Sequence, residues 1–314
     1  MIRVNSVRLS VAASVCAWLV LSAVAAPPKV RRARPPKWPD ATREIFFSDA
    51  RTKLIGKRPS APESRSEGTG PAVETAGAPA VDQFAWSKVI SAEVLEDEVK
   101  AGTRELQQHV VNSTEFKGGG YKSARASLST LATMFGIIGQ YDASVRWQKE
   151  APSMRDMLAR AGFNCKVGTD PAFKEAKARS EDLESLIRTG TFAGKAAESQ
   201  APWSSVAGRS VLMQRLERAQ QQGLAVWVGS SGEFSKHAAQ AYHEAQLIAA
   251  LAHVIQHEGY ESADDEAYLG FARQLEKHAT QAAEAARQND YAEMRKSVGE
   301  IEKTCSACHE GFRG

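Results

Sequence analysis

The chain has 314 residues, of which 43% are hydrophobic and 25% are charged, enough for one large domain or two ordinary ones. This composition excludes a chain that is disordered throughout and a polytopic membrane protein. Forty Lys and Arg against 37 Asp and Glu give a formal net charge of +3, without a concentrated basic excess. A nucleic-acid partner is therefore not expected, because a binder of polyanions needs such an excess.

The first residues resemble an export signal. Arg3 and Arg8 precede an apolar run over residues 11–24, and the run ends in the small-residue cleavage pattern AVA. We predict a signal peptide over residues 1–25, and hence a periplasmic or otherwise exported protein with no membrane span after cleavage. The stretch over residues 9–26 is just long enough to cross a thin bilayer, so an uncleaved anchor stays open.

Residues 26–82 differ in composition from the rest of the chain. They hold nine of the twelve prolines and the run APESRSEGTGPAVETAGAPA. Such a stretch buries too little apolar surface to order itself, which predicts a Pro-rich linker. Within it, residues 42–56 place apolar side chains at roughly helical spacing and are a candidate for a short docking helix.

From Phe84 onward the chain is rich in Ala, Glu, Gln, Lys and Leu, and no stretch alternates with the period of a strand. This pattern predicts an all-α fold. The last helix has an apolar seam at spacings of three and four: Tyr291, Met294, Val298, Ile301, Cys305, Cys308 and Phe312. An earlier helix has the same alternation: Phe234, Ala238, Ala241, Ala245, Ile248, Ala252 and Ile255.

Two more helices complete this half of the chain. Ser262 and Asp265 have the spacing of a capping box, which predicts a helix from there to about residue 288. A further helix is predicted over residues 206–222. Four helices with short connections predict an antiparallel four-helix bundle over residues 201–314.

Residues 83–200 read as a copy of this bundle. The segment Trp86-Ser-Lys-Val matches Trp203-Ser-Ser-Val at an offset of 117 residues, and Tyr141 matches Tyr260 at 119. We therefore predict two tandem antiparallel four-helix bundles, preceded by the signal peptide and the linker. The alternative is that the two halves share only helical periodicity.

The strongest chemical signal is Cys305-Ser-Ala-Cys308-His309, a CxxCH, the attachment motif of c-type haem. Residues i, i+3 and i+4 share one face of a helix. Both thiols can therefore add to the two haem vinyl groups while the neighbouring imidazole ligates the iron. The motif predicts one covalent haem c per chain.

Two other uses of the motif are weaker. A thioredoxin-type CxxC follows a strand and precedes a helix, whereas this motif lies at the end of a helix. A zinc site needs a fourth ligand, which His278 or His257 could supply.

The string CSACHEGFR near the end of a four-helix bundle resembles the class II c-type cytochromes, the cytochrome c′ group. The resemblance covers about residues 203–314 well, and the first half only through the internal repeat. It implies that His309 is the proximal iron ligand and that Arg313 lies near the haem. The family often forms dimers through its helices, so a homodimer stays open.

In that family a side chain of the first helix faces the other side of the iron, four residues after an arginine. Arg209 and Met213 fit this spacing, which makes Met213 the candidate distal residue. Leu212 or Leu216 are alternatives, and an ordinary core role for Met213 stays open. If Met213 ligates, a six-coordinate iron suits single-electron transfer between redox partner proteins. If an apolar side chain only covers the iron, the protein instead binds or senses NO or CO.

No catalytic constellation stands out, so an enzyme is not predicted. His253 and His257 have the spacing of a metal clamp on one helix, but we interpret them as solvated surface residues. Cys165 is interpreted as a buried, idle thiol. The first bundle lacks the attachment motif, because Ile187, Gly190 and Thr191 stand at the matching positions, and it is expected to carry no haem. The alternative is that this half binds a second haem non-covalently, with His109 as its only possible histidine ligand.

Overall fold

In the computed structural model, residues 84–192, 194 and 201–313 are described, and every regular element among them is a helix. The predicted all-α class is confirmed. The predicted signal peptide and the Pro-rich linker with its candidate docking helix lie outside the described residues. None of the helices in the described ranges has the length and apolarity that crossing a membrane requires.

Within the described ranges, eight helices of nine residues or more fall into two sets. The first helical set comprises α1 (Ala92–His109), α2 (Tyr121–Gly139), α3 (Ala151–Asn164) and α4 (Asp170–Thr189). The second helical set comprises α5 (Arg209–Glu217), α6 (Ser231–Val254), α7 (Glu266–Arg287) and α8 (Tyr291–Phe312). Short helical pieces connect them: Trp86–Lys88, Ser113–Glu115, Trp203–Val206 and Ala225–Trp227, and the π-helical Phe116–Gly120 and Arg218–Leu224.

Polar side chains start most of the long helices by accepting a hydrogen bond from a free backbone N–H of the first turn. The capping residues are Ser91, Thr169, Ser230, Asp265 and Asp290. The predicted capping box at Ser262 does not form. Ser262 has a left-handed backbone, with φ of 67°, which is incompatible with the extended conformation of a capping residue.

The predicted seams of α6 and α8 face the core. On α8, Met294, Val298 and Ile301 are buried, and the seam becomes half-buried at Cys305 and Cys308. The helix expected over residues 206–222 begins at Arg209, because Ala207 and Gly208 are extended, and it continues as the π-helix Arg218–Leu224.

The two helical sets share one hydrophobic core. Across the boundary between them, α1 contacts α6 and α2 contacts α5. The rings of Trp86 and Trp203, which precede α1 and α5, lie with centroids 5.8 Å apart. The described residues therefore form one compact unit.

A buried ion cluster joins the two sets. The Arg215 guanidinium on α5 donates to both oxygens of Glu98 on α1, at 2.8 and 3.2 Å, and to both oxygens of Glu244 on α6, at 2.7 and 3.1 Å. His243 Nε2 lies 3.1 Å from Glu98 Oε2. Only 7% of the Arg215 side chain and 9% of the Glu98 side chain are exposed. Glu98 depends on the second helical set for both of its partners, and without the first set Arg215 would keep only Glu244. A buried charge that loses a partner is strongly destabilising.

This cluster predicts an acid-sensitive fold. Burial alone would raise the pKa of Glu98, but the charge of Arg215 and hydrogen bonds from His243 and Arg215 lower it from 4.5 to about 2. A carboxyl whose pKa is lowered on folding stabilises the protein above its unfolded pKa. We therefore expect the contribution of Glu98 to be complete above about pH 4.5 and to disappear as the pH falls towards 2.

Glu98→Gln tests this expectation. At pH 7 the variant should lose on the order of 3 kcal/mol, because a buried charge loses one of its partners. Its unfolding midpoint should also change less between pH 5 and pH 2.5 than that of the unaltered protein, measured by circular dichroism. Glu181→Gln, at an exposed position of α4, is the matched control. Identical pH profiles for the two variants would contradict the role given to Glu98.

Candidate functional site

The CxxCH motif lies on the last two turns of α8. Cys305 is half-buried and packs against the core, and Cys308 is also half-buried. His309, one residue further along the helix, is exposed. The two thiols thus face the interior of the helical set, while the imidazole lies at its rim.

An aromatic wall stands beside the motif. Tyr268, near the start of α7, packs edge-on against Phe312 with ring centroids 5.6 Å apart, and Phe271 lies 6.3 Å from the same ring. The Tyr268 hydroxyl donates to the backbone oxygen of Ile255 at 3.2 Å, which fixes the ring between α6 and α8. Sequence reasoning missed Tyr268. Its position three residues after the capping Asp265, on the face that α7 buries, was the available signal.

Arg209, the first residue of α5, reaches the same end of the second helical set. Its guanidinium donates to Glu261 Oε2 at 2.6 Å and lies 5.8 Å from the centre of the Tyr268 ring. Burial raises the pKa of the Cys308 thiol, and the Arg209 charge opposes that rise. Arg209 at the start of α5 and Phe312 at the end of α8 therefore both lie beside the Tyr268 ring.

The other candidate residues are less tightly placed. Met213 is half-buried one turn after Arg209, so the two residues share a face of α5. Leu212 is completely buried and Leu216 is 7% exposed. Arg313 follows the end of α8 and is exposed. The structure thus brings Arg209, Tyr268 and Cys308 together, and among the described residues no hydrogen bond or ion pair joins Met213 or Arg313 to the motif.

The state of the thiols bears on the chemistry that they can perform. Burial raises the pKa of Cys305 from 9.0 to about 11, and both cysteines are free. A thioredoxin-type cysteine requires a lowered pKa, so these thiols are poorly suited to dithiol exchange. Among the described residues no three potential metal ligands converge, so the structure does not assemble the zinc alternative around the motif.

Two further histidines differ from the interpretation given above. His253 and His257 are half-buried, not solvated. The His253 ring stacks on Phe84 at 3.5 Å and its Nδ1 lies 3.2 Å from Glu276 Oε2, while His257 packs against Trp203. The interpretation as surface residues was wrong because the first helical set and its leading segment cover this part of α6.

Cys165 is fully buried, as expected. Burial raises the pKa of its thiol to about 12, which makes the thiol unreactive at neutral pH.

The first helical set ends differently at the positions that match the motif. Gly190 has a left-handed backbone, with φ of 79°, and ends α4 at Thr189. Thr191 therefore lies beyond the helix, whereas the matching His309 lies within α8. No shared helix face exists there for Ile187, Gly190 and Thr191.

A tryptophan in the α2–α3 connection occupies this end of the first helical set. Trp147 is 5% exposed, and its ring packs 6.3 Å from Phe135. The neighbouring Arg146 guanidinium lies over the Trp147 ring at 4.7 Å and donates to the backbone oxygen of Ile187. Sequence reasoning missed Trp147 because it belongs to a connection and not to a periodic seam.

His109 lies too far from this end of the first helical set to ligate a haem there. It is the last residue of α1, whereas Arg146 lies 3.9 Å from Glu96 near the start of that helix. Thirteen helical residues separate the two positions, or about 20 Å at 1.5 Å per residue.

Comparisons with protein-family models, with curated proteins and with solved structures return no match for this chain.

Removing the Trp147 ring should leave a cavity. We expect Trp147→Ala to cost about 3–5 kcal/mol of stability, the usual loss for a buried tryptophan. Trp227→Ala, at a half-buried tryptophan of the second set, should cost clearly less. Denaturant unfolding measures both. Equal small losses would show that Trp147 does not fill the end of the first set.

Proposed function

We propose that this chain is an exported monohaem c-type cytochrome that transfers single electrons between redox partner proteins. The observation that supports it most directly is the position of Cys305 and Cys308, two free half-buried thiols one helical turn apart at the end of α8. The donor set of two thiols and an imidazole is the one that covalent haem attachment uses.

The surroundings of the motif fit a large, flat apolar group. Tyr268, Phe271 and Phe312 offer ring faces and edges beside the thiols, and Arg209 contributes a positive charge at the same end. Cys305 and Cys308 would anchor the haem, and His309 would supply the iron ligand from the same turn. A haem held there exchanges one electron, with a potential set by its axial ligands and its exposure.

His309 is exposed, which favours access by attachment chemistry and by a redox partner. His309 lies one helical turn after Cys305, so the two residues share a face of α8. We assign His309 the proximal position and Met213, on α5, the distal one. Arg313, beyond the end of α8, is assigned to the exposed edge of the haem.

A second function depends on the distal residue. If Met213 only covers the iron, or Leu212 does so instead, the same fold binds or senses NO or CO through a five-coordinate iron. Leu212 is completely buried and apolar, which supports a role in covering the iron. The absorption spectrum of the reduced protein separates the two functions, because sharp low-spin bands favour electron transfer and a broad high-spin band that shifts under CO favours gas binding.

We further propose the finer architecture of two tandem antiparallel four-helix bundles, residues 83–200 and 201–314, with a haem only in the second. A matched pair of hydrogen bonds supports the repeat: Tyr141 Oη donates to Ile90 O at 2.9 Å, and Tyr260 Oη donates to Ala207 O at 3.0 Å. The acceptors are 117 residues apart and the donors 119, so the same bond recurs at matching positions. The signal peptide, the exported location and the absence of enzymatic activity belong to the same proposal.

The covalent link is tested by Cys305→Ala together with Cys308→Ala. The double variant should release all of its haem on acid extraction, whereas the unaltered protein keeps about one haem per chain on a denaturing gel. Cys165→Ala, which removes a buried thiol outside the motif, is the control and should keep the stained band. A stained band in the double variant would show that the haem is attached elsewhere or that another protein carries it.

The distal assignment is tested by Met213→Ala with Leu212→Ala as its neighbour control. If Met213 ligates the iron, its loss should abolish a sulfur-to-iron charge-transfer band at the red end of the oxidised spectrum. If the iron is five-coordinate, the same variant should speed CO binding by opening the distal side. An unchanged spectrum and unchanged CO kinetics, with an effect at Leu212→Ala, would move the distal role to Leu212.

A further inference from the structure

Residues at matching positions of the two helical sets meet each other in space. Glu98 and Arg215 are 117 residues apart in sequence and form the buried ion pair. Trp86 and Trp203 have the same offset, and their rings are in contact. In a twofold arrangement, a position that meets its own equivalent lies beside the axis.

Contacts further from these pairs also have a counterpart at the matching positions of the other helical set. The Trp86 ring lies 5.1 Å from the His253 ring, and a Cβ at Gly136 would lie 2.7 Å from the Trp203 ring. Gly136 and His253 are again 117 residues apart. The helix contacts α1 with α6 and α2 with α5 form the same kind of reciprocal pair. The boundary between the two sets thus has the reciprocal pattern of a twofold dimer interface, formed within one chain.

The positions that meet across the boundary are symmetric, but their charges are not, because Glu98 stands where the other set has Arg215. A second copy of the α5–α6 face placed across the axis would bring Arg215 against Arg215, and a second copy of the first set would bring Glu98 against Glu98. Only the unlike combination places opposite charges at the two positions beside the axis, because Glu244 lies on α6 itself and pairs with Arg215 from within the same set. Like charges there are expensive, because burial removes the water that would screen them.

We infer that the α5–α6 face is a surface for docking a second helical unit of the same kind, and that Glu98 opposite Arg215 selects the first helical set as its occupant. The protein is accordingly a pseudo-dimer within one chain, with the dimer face already filled. This inference does not depend on the haem, so a failure of the haem assignment leaves it intact.

Two charge reversals in the full chain test the selection. In Glu98→Arg the two sets of one chain present Arg against Arg, and in Arg215→Glu they present Glu against Glu. Each variant alone should therefore elute with an enlarged radius or fail to accumulate. Produced together with different affinity tags, the two chains can exchange sets, because each set then finds an oppositely charged partner in the other chain. We expect a 1:1 heterodimer of twice the chain mass by light scattering, and a compact monomer for the unaltered protein.

The double variant with both reversals in one chain should recover the compact monomer, with an unfolding midpoint above that of either single variant. Glu181→Arg produced together with Arg295→Glu, two exposed positions, is the control and should give only monomers. The inference is overturned if the single variants stay compact and do not exchange, or if either dimerises alone as readily as the pair does. It is also overturned if each variant chain fails to accumulate when produced alone and the two chains still fail to accumulate when produced together.

Discussion

The guanidinium of Arg215 is the constraint on which the arrangement of the helices depends. It is buried, and the two carboxylates that compensate its charge come from α1 and α6. A buried charge of this kind adds little net stability compared with a well-packed apolar side chain, but it penalises every arrangement that leaves it unpaired. The position of α1 against α5 and α6 is therefore specified more sharply than hydrophobic packing alone would specify it.

Local patterns in the sequence predicted the helices well. The seam of α8 through Met294, Val298 and Ile301 is buried as expected, because helical periodicity fixes which side chains share a face before any tertiary contact forms. The reach of α7 to Arg287 was also close to prediction. Its start was placed too early, since the spacing of Ser262 and Asp265 does not reveal the left-handed backbone at Ser262.

Contacts between distant segments could not be read in this way. The burial of His253 depends on Phe84, 169 positions earlier, which stacks on its ring. The Arg215 cluster likewise joins residues from three helices, and nothing around Glu98 in the sequence marks it as buried. For the candidate site, the motif itself was visible, whereas the aromatic wall around Tyr268 required the packing of α7 against α8. Helical periodicity predicts which side chains share a face of a helix, but it does not predict which distant segment packs against that face.

The two helical sets differ at the positions that the proposed haem attachment would require. In the second set, α8 continues to Phe312, so two thiols and an imidazole fall on consecutive positions of one helix. In the first set, the left-handed Gly190 ends α4 at the matching point, and Trp147 from the adjacent connection is buried against Phe135. The early end of α4 removes the helix face that covalent attachment would need, and the buried indole of Trp147 occupies the adjacent core. Introducing the motif alone at positions 187, 190 and 191 would therefore not create a haem site. The contact that remains for the first helical set is the packing of α1 and α2 against the second set, which carries the motif.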